Sequence, residues 1–184
     1  MKIQLIERKN LTPAVWDGGK TFEYYLSPID AKYSERNFDF RISSATIEKT
    51  PSNFTQFDHF HRYLVMLDNE LKINRNELNE SYQRATLFEF PSSDKIVSFS
   101  LGNDFNWMVK NEWKTRTKLE VRRLDTFSVN AAFLFVFAFE KTVVTSSEGK
   151  WILEEKDLLV IENPKKEMKL NSDKTVILGQ IHKS

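Results

Sequence analysis

"RYLVMLDNELKI", Arg62 to Ile73, and "AFLFVFAFEKTV", Ala132 to Val143, are two strand-like apolar stretches that each end in a polar turn. The segments downstream of them are also alike: "LFEFPSSDKIVSFS" after the first and "LVIENPKKEMKLNS" after the second. Glu89 and Pro91 match Glu162 and Pro164, and the paired stretches lie about 70 to 73 residues apart. That period is the scale of one small β-unit, larger than a solenoid repeat. The turn proline suits a position where no ladder hydrogen bond is needed. Two similar β-units in one chain is the physical reading.

The surrounding segments agree. Fifteen Phe, five Tyr and four Trp make the chain aromatic-rich, and aromatic residues favour strands. "KIQLIE", "FDFRISSATIE", "KIVSFSL", "FNWMVK", "KLEVRRL", "KWILEEKDLLVIE" and "TVILGQI" all have strand character. Gly, Pro, Asn, Asp and Ser separate them, as in "PSN", "NRNELN", "LGND", "SSEGK" and "ENPKK". The nearest approach to a helical period, Asn76 to Leu87, is short and polar. Many short strands with regular turns predict an all-β sandwich or barrel. The expected division is residues 1–121 and 122–184, with an N-terminal strand able to cross to the second unit.

Composition narrows the function. Lys+Arg 27 against Asp+Glu 26 gives a net charge of +1, so no basic surplus exists to neutralise a run of phosphates. Cysteine is absent, which excludes disulfides, thiolate metal sites and thiol catalysis. "MKIQLIERKN" has no apolar run long enough for a signal peptide. "VNAAFLFVFAF" is about half a transmembrane helix and reads as a buried strand. The expectation is a cytoplasmic protein that engages neither nucleic acid nor membrane, as a monomer or homodimer.

Several segments carry candidate chemistry. "AVWDGGKT", Ala14 to Thr21, loosely matches a phosphate-binding loop, which works only between a buried strand and a helix. Pro13 precedes it and the aromatic "FEYYLSP" comes after, so a glycine turn entering a strand, with Trp16 at its side, is the better reading. His59 and His61 share one face if the strand has begun, and two imidazoles can hold Zn²⁺, Fe²⁺ or Mn²⁺. No carboxylate occurs at short spacing beyond them, His182 is near the end of the chain, and Arg62 adds a positive charge. Two partly exposed imidazoles before a strand is the plainer account, with pocket-entrance lining as their most plausible role.

"FDFRISSATI", Phe38 to Ile47, alternates Phe38, Phe40 and Ile42 with Asp39, Arg41, Ser43 and Ala45. An arginine within a good strand needs a partner, and its planar fork suits a carboxylate. A ligand, an ion pair with Asp39 or Glu48, or solvent could each supply it. "GNDFNWMVK", Gly102 to Lys110, places Asp104 and Asn106 on one side. Asn offers a donor and an acceptor, although both residues are also common in turns.

Taken together these segments resemble the HutD/Ves family. "VWDGGKTFEY" is similar to the family's Trp-x-Asn-Gly-Gly-Gly-Thr-Thr, and "FDFRISSATI" to its Phe-Asp-Trp-Arg-Ile-Ser. "FTQFDHFHRYLVMLDN" resembles Phe-Ser-x-Phe-Pro-Gly-x-Asp-Arg followed by a strand, and "GNDFNWMVK" resembles Asp-Phe-Asn-x-Met. Order and spacing agree over roughly the first 110 residues. The resemblance implies a bicupin, two double-stranded β-helix barrels in one chain. It also implies a metal-free, non-catalytic binder of a small organic acid or metabolite, without a cofactor. The family is associated with histidine-utilisation gene clusters and with stress-induced proteins, hence a regulatory role. Carried over by position, the ligand-binding residues are Trp16, Thr21, Arg41, Ser43, Arg62, Asp104 and Asn106. Lys20 replaces the family's third glycine, and His61 stands where the family has Asp before the arginine. Two other readings stay open: a metal-dependent cupin isomerase or dioxygenase using His59 and His61, and an interaction protein with no small ligand.

Overall fold

The computed structural model describes residues 1–164 and 167–183. Lys165 and Lys166, in the expected turn "ENPKK", lie outside the described residues. The chain divides into a first unit, Leu11–Lys114, and a second, Met1–Asn10 with Thr115–Ser184. The expected boundary at residue 121 would cut a strand, Thr117–Arg123, that pairs along its length within the second unit.

The first unit contains β2 (Ala14–Trp16), β3 (Gly19–Ser27), β4 (Phe40–Ile47), β5 (Ser52–Asn53), β6 (Phe60–Met66), β7 (Leu71–Arg75), β8 (Leu78–Tyr82), β9 (Leu87–Pro91), β10 (Ile96–Ser98) and β11 (Gly102–Lys110). They form one sheet in the order β2-β3-β4-β11-β6-β9 and a second in the order β5-β10-β7-β8. The second unit contains β1 (Lys2–Ile6), β12 (Thr117–Arg123), β13 (Phe127–Val129), β14 (Phe133–Ala138), β15 (Thr142–Ser146), β16 (Gly149–Leu153), β17 (Leu158–Glu162), β18 (Met168–Ser172) and β19 (Thr175–Ile181). Its sheets run β1-β17-β14-β19-β12 and β13-β18-β15-β16. The fold is all-β, built from antiparallel ladders.

The repeat has a direct counterpart in the ladders. Tyr63 faces Glu89 across β6 and β9, and Phe133 faces Glu162 across β14 and β17. The N-terminal strand joins this second ladder, with Lys2 opposite Glu162 and Ile6 opposite Leu158.

Apolar alternation explains how each pair of sheets closes. In the first unit Leu64, Met66, Phe88 and Phe90 of the larger sheet pack on Leu71, Ile73 and Ile96 of the smaller. In the second, Leu134, Val136, Leu159, Ile161, Val176 and Leu178 pack on Val144, Leu153, Met168 and Leu170. On the other face of the β14–β19 ladder Gly179 is required: a Cβ would lie 2.1 Å from the Phe135 ring opposite it.

Some elements differ from the sequence reading. "HRYLVMLDNELKI" and "KWILEEKDLLVIE" are each broken into two strands by tight turns. The polar stretch after Asn76 forms β8, an edge strand whose Leu78 is exposed. Its pairing to β7 supplies the order that its weak apolar pattern does not.

Candidate functional site

Asp17 and Gly18 turn β2 into β3, with Trp16 opposite Gly19 and Ala14 opposite Thr21. This is a hairpin with no helix after it, so no phosphate loop exists. Gly19 has φ +154°, and a Cβ there would sit 1.9 Å from the Thr46 carbonyl oxygen. Glycine is thus needed for β3 to approach β4. The Trp16 indole Nε1 donates to Thr21 Oγ1 at 3.2 Å, which holds the ring across the hairpin.

The register then sets successive rows on one sheet face, because alternate residues point the same way. Thr21, Ala45, Asp104 and Met66 form one row. Ser43, Asn106 and Leu64 form the next. Arg41, Met108 and Arg62 form the third, so both arginines flank the same methionine. A cavity of about 360 Å³ opens over these rows. Trp16, Thr21, Arg41, Ser43, Arg62, Asp104 and Asn106 all line it. The structure therefore brings together every residue carried over from the motifs. It adds Tyr33, Phe54, Thr55 and Leu64 to the walls.

Arg41 is 7% exposed. Its Nε donates to Glu23 Oε2 at 2.7 Å and its Nη1 to Ser43 Oγ at 3.1 Å. Its guanidinium carbon lies 4.1 Å from the centre of the Tyr33 ring, a cation–π contact. The ion-pair partner is Glu23, whereas Asp39 and Glu48 are engaged by Lys110 and Lys20.

Arg62 is 6% exposed. Its Nε donates to Ser92 Oγ at 2.8 Å and its Nη2 to the Thr55 carbonyl. Among the described residues it has no carboxylate within ion-pair reach. Burial lowers its pKa to about 10, which still leaves it charged at neutral pH. Asp104 Oδ1 accepts from the Ala45 amide at 3.0 Å. Burial raises its pKa to about 6, against the pull of that amide and both arginines. Asn106 carries a buried Oδ1 with no hydrogen-bond partner, a costly state for an enclosed polar atom.

The histidines stand elsewhere. His59 precedes β6 in a turn with φ +67°, so it does not share the strand alternation with His61. His61 lies on the opposite sheet face from Arg62, 3% exposed rather than partly open. Its Nε2 is 3.0 Å from Glu89 Oε1, and its ring meets Tyr63 edge-on. Burial lowers its pKa more strongly than Glu89 raises it. Neither histidine lines the cavity, which corrects their assignment to its entrance. Among the described residues, no group of three or more His, Cys, Asp or Glu side chains is placed to hold a metal ion.

Sequence reasoning did not single out Tyr33 or Glu23. Tyr33 sits in a short 3₁₀ turn, Tyr33–Glu35, where no periodicity signals an inward side chain. Glu23 precedes a register shift between Glu23 and Tyr25, which breaks the alternation that could have placed it.

The model of the HutD family matches residues 8–178. A conserved protein of unknown function from Pseudomonas aeruginosa PAO1 superposes with a TM-score of 0.85 at 15% identity, over 100% of both chains. HutD from Pseudomonas fluorescens SBW25 gives 0.80 at 18%, again over 100% of both chains. A bacterial pirin from Escherichia coli in complex with nickel(II) gives 0.67 at 10%, over 100% of both. At these identities the solved structures speak for the fold. No curated protein matches the sequence.

Proposed function

The chain belongs to the HutD family and is a cupin, and from that premise we propose that the first-unit cavity binds a small organic acid without metal, cofactor or catalysis. The observation that carries this reading is Arg62: a buried guanidinium with no carboxylate partner among the described residues, in the same ladder row as Arg41. A buried cation is expensive unless paired. A ligand carboxylate supplies that pairing through charge-assisted hydrogen bonds. Arg41, already tied to Glu23 and stacked on Tyr33, is held rigidly enough to present its remaining N–H groups.

The histidines of the metal-dependent alternative, His59 and His61, do not line the cavity. Binding without turnover makes the protein a sensor. Its output is regulation of a catabolic, histidine-utilisation-like pathway or of a stress pathway.

The test is a thermal-shift screen of small carboxylic acids and then calorimetry on the hits. A ligand at 100 times its Kd should add about 2.7 kcal/mol of stability. Arg62→Ala should weaken acid binding by about tenfold to a hundredfold, since contacts to charged groups contribute about 1.5–3 kcal/mol. Equal binding by wild type and variant would remove the assignment, as would a screen in which no acid stabilises the protein.

A further inference from the structure

Two buried charges in the cavity are left without a protein ion pair. Arg41 is matched by Glu23. Arg62 and Asp104 are each 6% exposed, and among the described residues neither has an oppositely charged partner within ion-pair reach, including each other. Arg62 is held by two neutral oxygens. Asp104 accepts one backbone hydrogen bond through Oδ1, and its Oδ2 has no hydrogen bond among the described residues. A carboxylate has about four lone-pair sites, so most of its accepting capacity is unused.

The two charges also lie at different levels. Asp104 is four residues along β11 from Met108, the residue opposite Arg62. At about 3.3 Å per residue their rows are roughly 13 Å apart along the strand. The arginine side chain shortens that span without closing it. Leu64, which shares the row between with Ser43 and Asn106, and Ala45, beside Asp104, contribute the apolar part of this wall.

We infer that the ligand is an acid carrying an ammonium or N–H donor several bonds from its carboxylate, the ω-amino acid class, with the carboxylate at Arg62 and the donor at Asp104. This rests on the acid-binding reading and adds the second contact. Such a ligand places opposite charge at both unpaired ends with a short apolar linker between. A simple monocarboxylate satisfies Arg62 and leaves Asp104 without a donor. A dicarboxylate brings a second negative charge toward Asp104.

Calorimetry with pentanoate and 5-aminopentanoate, at pH 7.5, separates the possibilities on wild type and Asp104→Asn. Asn keeps an acceptor for the Ala45 amide and removes the charge. In wild type 5-aminopentanoate should bind at least about tenfold more tightly, as a charge-assisted contact implies. In Asp104→Asn that advantage should fall below about threefold. Equal wild-type affinities would overturn the inference while leaving an acid site intact. A preference that survives in Asp104→Asn would overturn it too, by placing the donor elsewhere. If neither compound nor any other acid binds wild type, the acid site itself fails and the inference falls with it. The wild-type comparison stands even if the variant does not fold.

Discussion

On the cavity side of β6 and β11 the first unit places Arg62, Leu64, Met66, Asp104, Asn106 and Met108. On the matching side of β14 and β19 the second unit places Leu134, Val136, Ala138, Val176, Leu178 and Gln180. The ladders are alike: β11 lies between β4 and β6, and β19 lies between β12 and β14. The contents differ. Most of the second set joins a continuous aliphatic cluster, whereas the first set leaves two unpaired charges and an unpartnered amide oxygen around a cavity. The aliphatic filling contributes hydrophobic stabilisation without polar desolvation. The polar filling costs stability in the empty protein, a cost that the proposed ligand would offset.

The sharpest way to break this comparison is to put each interior's chemistry into the other. Leu178→Asn should destabilise the protein by about 3–5 kcal/mol, because it removes apolar burial and encloses an amide. The urea midpoint measures it; a loss below about 1 kcal/mol would mean the second interior is not the dry core described.

The next effect is in pH. Asp104 has a folded pKa of about 6 against an ordinary value of 3.8, raised chiefly by burial. A carboxyl raised in the fold favours the protonated folded state. Its stabilising contribution is complete below about pH 4 and is lost as pH rises through about 6. Relative to Asp104→Asn, wild type should lose up to about 3 kcal/mol across that window and stay level above it. A difference that does not change between about pH 4 and 7 would show that Asp104 is solvated.

Smaller still is the reverse exchange. Asn106→Leu removes an amide whose Oδ1 has no partner, so the empty protein should be unchanged or gain up to about 1 kcal/mol. A loss of several kcal/mol would mean that Asn106 belongs to the structural core.

The same contrast shows how legible the molecule was in its sequence. The strands built on Arg62–Ile73 and Ala132–Val143 were readable because their apolar runs are strong. The edge strand β8 was not, since pairing to β7 orders residues with little apolar signal. The residues from Trp16 to Asn106 that meet in the cavity were readable through four motifs with consistent spacing. Alternation also put Arg41 and Ser43 on one face. It could not give the partner of Arg41, because Glu23 comes from β3 next to a bulge. Nor could it give the burial of His61: the two-residue period says which face a side chain takes, and only the folded chain says what covers that face.

The most direct test of the central claim is nuclear magnetic resonance of the ¹⁵N-labelled protein titrated with a small acid, tracking backbone amides and arginine Nε–H signals. Binding should move the Arg41 and Arg62 Nε signals and the amides of Thr21, Ser43, Asp104 and Asn106, and leave those of Leu134, Val136 and Leu178 in place. Saturable shifts centred on the second unit, or shifts confined to exposed lysines, would contradict the account.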